Sequence, residues 1–205
     1  MSAPDPFEPI ALFSVPLFPT VVAGFDERKP ALLADILDLR ARYPGVVRSN
    51  RGAWHSGDEL AAHKSENVAW VLQKAVRFAR HVLGRFHDNW SAHDLALAGV
   101  WANVLDQGGW NAPHHHAPCS WSGVFYVSVG EVSTSRADPH GMIEFMNPMP
   151  WMSQIGRAGN FVYGPKDGLL LLFPSAVHHF VHPHAGADPR VSIAFNFNVV
   201  AKGRA

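Results

Sequence analysis

From position 190 the chain reads Arg190-Val191-Ser192-Ile193-Ala194-Phe195-Asn196-Phe197. Side chains alternate across an extended strand, so Arg190, Ser192, Ala194 and Asn196 share one face and Val191, Ile193, Phe195 and Phe197 the other. The second face is wholly apolar and belongs on a core. The first opens with a guanidinium and continues small or polar, as in a strand that lines a cavity. Five further short β-rich runs precede this one: Leu95 to Leu105, Ser120 to Val129, Met142 to Met146, Gly168 to Phe173 and His179 to His182. Turn signals separate them, at Gly108-Gly109, Gly130, Asp138-Pro139, Asn147-Pro148, Gly164-Pro165, Pro183 and Asp188-Pro189.

Upstream the periodicity is helical. Asp26 to Arg42 carries Leu32, Leu33, Ile36, Leu37 and Leu39, with arginines late as the helix dipole prefers, and Pro44-Gly45 stops it. Ser65 is a candidate N-cap for a second helix reaching about His87, with Val68, Val71, Leu72, Ala75, Phe78, Ala79 and Leu83 recurring at three and four. The stretch from Ile10 to Val22, broken by Pro16 and Pro19, reads as an edge strand or two short ones. Arg48 to Asp58 reads as a polar loop around Trp54. Helices followed by many short strands predict an α+β chain with an antiparallel double sheet in the jelly-roll or cupin style. We read residues 1–205 as one domain, with 1–94 a strand and helical support and 95–205 the β core.

Composition narrows the function. Seventeen basic residues balance seventeen acidic ones, so no global field recruits nucleic acid or a membrane surface. One cysteine, Cys119, excludes an intrachain disulfide framework and fits a reducing, cytoplasmic setting. No apolar run approaches membrane-span length, and the N-terminus lacks signal-peptide character. The proline-broken start could edge a homodimer.

The chemistry sits in the histidines. In an extended segment His114 and His116 point to one side and His115 to the other. A pair is half a metal site; His179, on the run after Leu169 to Phe173, is the expected third ligand. His178 and His182 compete with it, since a one-residue slip exchanges strand faces. Three facial ligands leave octahedral positions open, which suits iron(II), oxygen and a chelating co-substrate. Zinc would also accept three imidazoles. Arg190 is suited to grip a carboxylate through two parallel hydrogen bonds, and Ser192 on the same face can add a hydroxyl. Trp110 and Trp121 bracket the ligand segment and could shape a substrate wall. His55, His63, His81, His87, His93, His140 and His184 read as surface or packing residues, and Cys119 as an inert thiol.

These blocks resemble the 2-oxoglutarate and iron(II)-dependent oxygenases, within them a bacterial branch with an HxH…H motif. The likeness is carried by Ser49-Asn50-Arg51-Gly52-Ala53-Trp54-His55-Ser56 and Trp101-Ala102-Asn103, and more specifically by three later blocks. These are His114-His115-His116 running into Ser122-Gly123-Val124-Phe125-Tyr126, Phe173-Pro174-Ser175 before His179, and Arg190 to Asn196. The resemblance implies a double-stranded β-helix, iron(II) on His114, His116 and His179, and 2-oxoglutarate with its far carboxylate on Arg190 and Ser192. Tyr126 and Asn103 are further co-substrate candidates. Most of the superfamily has an aspartate or glutamate where His116 stands; Asp106 or Glu144 could supply a carboxylate instead. The implied reaction is hydroxylation of a small molecule or a protein side chain. The rivals are a three-histidine cupin dioxygenase that needs no 2-oxoglutarate, and a metal-holding binding module without turnover.

Overall fold

The computed structural model describes residues 14–149 and 159–203. Among the described residues there are three α-helices, α1 (Lys29–Arg42), the single turn α2 (Glu59–Ala62) and α3 (Glu66–Phe86), besides a 3-10 turn at Trp90–Ala92. Nine strands follow the chain as β1 (Phe18–Val21), β2 (Asn50–His55), β3 (His93–His114), β4 (Trp121–Ser128), β5 (Ile143–Phe145), β6 (Phe161–Tyr163), β7 (Leu169–Pro174), β8 (His179–Val181) and β9 (Arg190–Ala201). Their hydrogen-bonded order is β1-β7-β4-β9-β3-β8-β5-β6, with β2 on β3, and the pairings are antiparallel.

The long β3 curls this sheet. Residues 93–105 pair with β9, whereas Asn111 and His114 pair with Val181 and His179 of β8. One strand thus serves both of these ladders as well as that of β2, and the sheet curls into a half-barrel, as the expected double-stranded β-helix requires.

Burial follows from strand alternation. Val191, Ile193, Phe195 and Phe197 join Leu32, Ile36, Leu39, Val68, Val71 and Ala75 in a core between helices and sheet. A second core inside the curl holds Leu105, Tyr126, Ile143, Phe145, Leu171, Phe173 and Val181. β7 lies between the two, sending Leu170 and Leu172 to one and Leu169, Leu171 and Phe173 to the other. A strand buried on both faces has no polar side to alternate with, hence its unbroken apolar run. Fully burying each such side chain contributes about 1.5–3 kcal/mol. Gly123 of β4 leaves room for the ring of its cross-strand partner Phe195, because a Cβ there would lie 2.3 Å from it.

The helix signals hold. The Ser65 hydroxyl accepts from the backbone amides of Asn67 and Val68, capping α3, and Pro30 occupies the first turn of α1. β1 is an edge strand paired with β7 alone; residues 10–13 of that expectation lie outside the described residues. Two readings need correction. Arg48 to Asp58 is not simply a loop, since Asn50–His55 forms β2, hydrogen-bonded along β3. Gly108-Gly109 does not end a strand. Gly108 takes a positive φ of 80° in a bulge of β3, opposite the register shift between Arg51 and Ala53, and His184 brackets it: Gly108 N donates to its carbonyl at 2.7 Å while its own N donates to Gly109 at 2.9 Å. Among the described residues no helix is long and apolar enough to cross a membrane.

Candidate active site

A cavity of about 480 Å³ opens inside the curl, lined on β9 by Arg190, Ser192, Ala194 and Asn196. The face read from alternation is therefore the cavity face. Register brings its neighbours into rows: Ser192 stands between Asn103 of β3 and Tyr126 of β4, and Ala194 between Trp101 and Val124.

His114, His116 and His179 meet at one end. One ring nitrogen from each lies within 4.8 Å of the others. His114 ends β3 directly opposite His179 at the start of β8, so the ladder itself joins residues 65 positions apart. His116 lies past the end of β3; its amide donates to the Ser175 carbonyl at 2.8 Å, tying that segment to the approach to His179.

Hydrogen bonds set the tautomers. His114 Nδ1 is 2.7 Å from the Ala112 carbonyl and His179 Nδ1 is 2.9 Å from that of Val177. A carbonyl only accepts, so both Nδ1 atoms carry the proton and both Nε2 atoms keep the lone pair a metal needs. Burial holds all three rings neutral. It lowers His114, pushes His116 down to about 4, and pushes the deeply buried His179 down to about 3, with neighbouring imidazoles adding to all three. Neutral imidazoles facing a common point fit a divalent cation.

Arg190 lies farther along the cavity, 2 % exposed. Its guanidinium carbon is 5.1 Å from the Tyr126 ring centroid. Burial lowers its pKa against the opposing effect of Tyr126, but a guanidinium retains its proton. Burial pushes the Tyr126 phenol up to about 12, so it stays a hydrogen-bond donor. Arg190 Nε, the Tyr126 hydroxyl and the Asn103 amide oxygen are all buried without a well-formed hydrogen bond, although Arg190 and Tyr126 face each other. Native interiors rarely leave such groups unpaired, and three on one cavity point to an absent polar ligand. The guanidinium and the phenol are donors suited to an anion, whereas the Asn103 oxygen is an acceptor.

The carboxylate alternatives fall away. Asp106 is gripped by Arg40, and Glu144 by His182 at 2.7 Å and Asn160 at 2.6 Å; neither lines the cavity. No aspartate or glutamate is among its lining residues. Of the competitors for the third ligand position, His182 is bound to Glu144 and His178 is exposed against His115, with ring centroids 4.7 Å apart. Trp121 packs in the helix-side core, and neither it nor Trp110 lines the cavity, so the tryptophan at this wall is Trp101. His55, expected to be surface or packing, lines the cavity and stacks on Trp101, with centroids 5.6 Å apart and planes 8° apart. Arg48, Ser49 and Asn111 line it too. Only the strand pairing of β2 brings Arg48, Ser49 and His55 there; residue spacing gave no signal for it.

A family profile described as "Putative 2OG-Fe(II) oxygenase" matches residues 99–196. That span holds the three histidines, Arg190, Ser192, Tyr126 and Asn103 together.

Residues 99–196 belong to the 2OG-Fe(II) oxygenases.

Solved structures agree on the fold of this oxygenase. A prolyl-4-hydroxylase from Pseudomonas putida aligns with a TM-score of 0.60 at 15% identity, covering 89% of this chain and 91% of that one. The non-heme alpha ketoglutarate dependent epimerase SnoN from nogalamycin biosynthesis gives 0.62 at 14%, covering 90% and 76%. HygX from Streptomyces hygroscopicus, with nickel, 2-oxoglutarate and hygromycin B bound, gives 0.56 at 12%, covering 90% and 82%. No curated protein sequence matches. The oxygenase fold thus accompanies peptide-directed and small-molecule chemistry among its neighbours, and hydroxylation is not its sole outcome.

Proposed function

We propose that His114, His116 and His179 hold iron(II), that Arg190 with Ser192, Tyr126 and Asn103 holds the far carboxylate of 2-oxoglutarate, and that the oxygenase hydroxylates a C–H bond of its substrate. The observation that carries this is a buried arginine whose Nε lacks a hydrogen bond, on the same cavity as three neutral imidazoles. When bound, iron(II) and 2-oxoglutarate supply activation of dioxygen, with succinate and carbon dioxide as co-products.

The protein's part is binding, orientation and exclusion of water. The Ala112 and Val177 carbonyls fix two imidazoles in the tautomer that presents Nε2. Phe173, 4.9 Å from the His179 ring, and Phe145, 6.0 Å away, pack that ligand on its protein side. Arg190 orients the co-substrate by two parallel hydrogen bonds, and Tyr126 stays protonated to donate a third. With no acid on the cavity, the site keeps both charges of the metal and adds that of Arg190, a match for a dianionic co-substrate. No side chain is required as a general base.

We read residues 1–205 as a single oxygenase domain of a reducing, cytoplasmic compartment. Its substrate is a small molecule or a protein side chain rather than nucleic acid, and the β1 edge is available for homodimer pairing. The test is succinate release from 2-oxoglutarate by protein reconstituted with iron(II) in air. Turnover that disappears in His179→Ala and Arg190→Met supports the proposal. Oxygen uptake without 2-oxoglutarate consumption would instead identify a three-histidine cupin dioxygenase, and retained zinc with neither would identify a binding module.

A further inference from the structure

The cavity carries more recognition chemistry than a metal and a dicarboxylate use. Once the three imidazoles, Arg190, Ser192, Tyr126 and Asn103 are assigned, and with Ser122 bonded to Asn196 and His115 set against His178, Arg48, Ser49, His55, Trp101 and Asn111 are still on the same walls. Three of these, Arg48, His55 and Trp101, also line a second hollow of about 940 Å³ that runs past α2 and the start of β3. They stand at the lip between the two spaces.

Arg48 is the unusual member. It is exposed, and its guanidinium has no hydrogen bond or ion pair among the described residues. The other arginines of this end are occupied: Arg40 by Asp106, Arg42 by Asp38, and Arg51 by the carbonyls of Arg48 and Asn50. No acid lines the inner cavity, and Asp58 and Glu59 line only the second hollow. Arg48 stands close enough to His55 for its charge to disfavour protonation of that ring, which burial already lowers. His55 Nδ1 bonds the Ser56 carbonyl at 2.6 Å, leaving Nε2 as an acceptor. The imidazole lies flat on Trp101, and Trp101 in turn lies 5.2 Å from the ring of His116. A continuous surface of flat rings therefore leads from an unpaired cation to a metal-ligating residue.

We propose that the primary substrate bears a carboxylate that Arg48 holds at the lip, its adjoining carbon skeleton lying along His55 and Trp101 toward His116. This rests on the function proposed above and adds a substrate class to it. A guanidinium gives a carboxylate two parallel, charge-assisted hydrogen bonds. The ring surface supplies apolar contact and its Nε2 acceptor a polar anchor. The carboxylate can come from a free small acid or from a peptide terminus, in which case the second hollow takes the rest of the chain.

The test measures binding to manganese-loaded protein with saturating 2-oxoglutarate, so that Arg190 is already engaged. Phenylacetate is compared with phenylacetamide, and N-acetyl-Gly-Gly-Phe with its C-terminal amide, by ligand-observed NMR and calorimetry. Acids should bind about tenfold or more tightly than their amides. Arg48→Gln should remove that preference and Arg48→Lys should retain part of it. A peptide acid that binds more tightly than phenylacetate assigns a chain-borne carboxylate; equal affinity assigns a free acid. Equal binding of acids and amides, no binding of any probe, or a preference that survives Arg48→Gln overturns the inference. So does an Arg48→Gln that weakens 2-oxoglutarate binding as much as Arg190→Met, which would move Arg48 into the co-substrate site. Failure of 2-oxoglutarate itself to bind overturns the proposed function and this inference together, whereas its binding without acid preference overturns the inference alone.

Discussion

Replacing Arg190 by methionine should strengthen the metal-free fold and abolish co-substrate capture, two opposite signs that a merely structural arginine would not give. Arg190 is 2 % exposed, its Nε lacks a well-formed hydrogen bond and no acid lines its cavity. An unpaired buried donor costs about 1–3 kcal/mol. The Tyr126 ring, 5.1 Å from the guanidinium carbon, offsets about 1–2 kcal/mol of that through cation–π attraction. The difference is about 0.5 kcal/mol in favour of methionine, whose unbranched chain fills the space of the arginine stem. For a chain of this size that raises Tm by roughly 1–2 °C. Binding moves the other way, because loss of a buried charge-assisted grip costs about 3–4 kcal/mol, or two to three orders of magnitude in Kd. Thermal unfolding of metal-free protein and calorimetry of 2-oxoglutarate on manganese-loaded protein measure the two effects. A variant that melts below the wild type and binds 2-oxoglutarate within tenfold of it would refute the assignment of Arg190 as a co-substrate clamp.

His179→Ala should weaken iron(II) binding more than a hundredfold, beyond what loss of a ligand's supporting hydrogen bond costs; metal analysis after dialysis reads this directly. His116→Asp should retain the metal but weaken 2-oxoglutarate binding on the order of tenfold, since it lowers the charge of the site by one; unchanged affinity would discount the charge-matching account. In metal-free protein the folded His179 and His116 titrate at about 3 and about 4, against about 6.5 in the unfolded chain. Between about 4 and 6.5 the unfolded state therefore binds more protons, so stability is full above pH 6.5 and falls on acidification, by up to about 1.4 kcal/mol per pH unit for each histidine. Urea midpoints followed from pH 7 to 4.5 should show this slope, shallower in His179→Phe. Gly123→Ala would place a Cβ 2.3 Å from the buried Phe195 ring and 2.9 Å from the Leu171 carbonyl oxygen. Neither can yield, so a loss of about 3 kcal/mol and roughly 6–12 °C in Tm is expected.

The division between what was legible in the chain and what was not has a physical basis. Two-residue alternation from Arg190 to Phe197 separated cavity face from core face correctly, because antiparallel strands keep that period whatever they pair with. The Ser65 cap and the helical spacing after it were equally local, and the described β3–β9 pairing extends a strand that periodicity had already marked. His114, His116 and His179 were legible as a set only through motif order; their meeting is a product of register, where His114 falls opposite His179. β2 escaped notice because Gly52 and its polar neighbours carry no apolar alternation, and the bulge at Gly108 looked like a turn because both features demand a positive φ.

The sequence by itself determined the elements, the cavity face of β9 and the ligand candidates, since each depends on residues a few positions apart. Only tertiary structure decided which histidines remain free, that Asp106 and Glu144 are engaged by Arg40 and His182, and that Arg48 and His55 stand at the cavity lip. Those outcomes depend on which partner a side chain meets across the sheet, and spacing along one strand carries no record of the strand laid beside it.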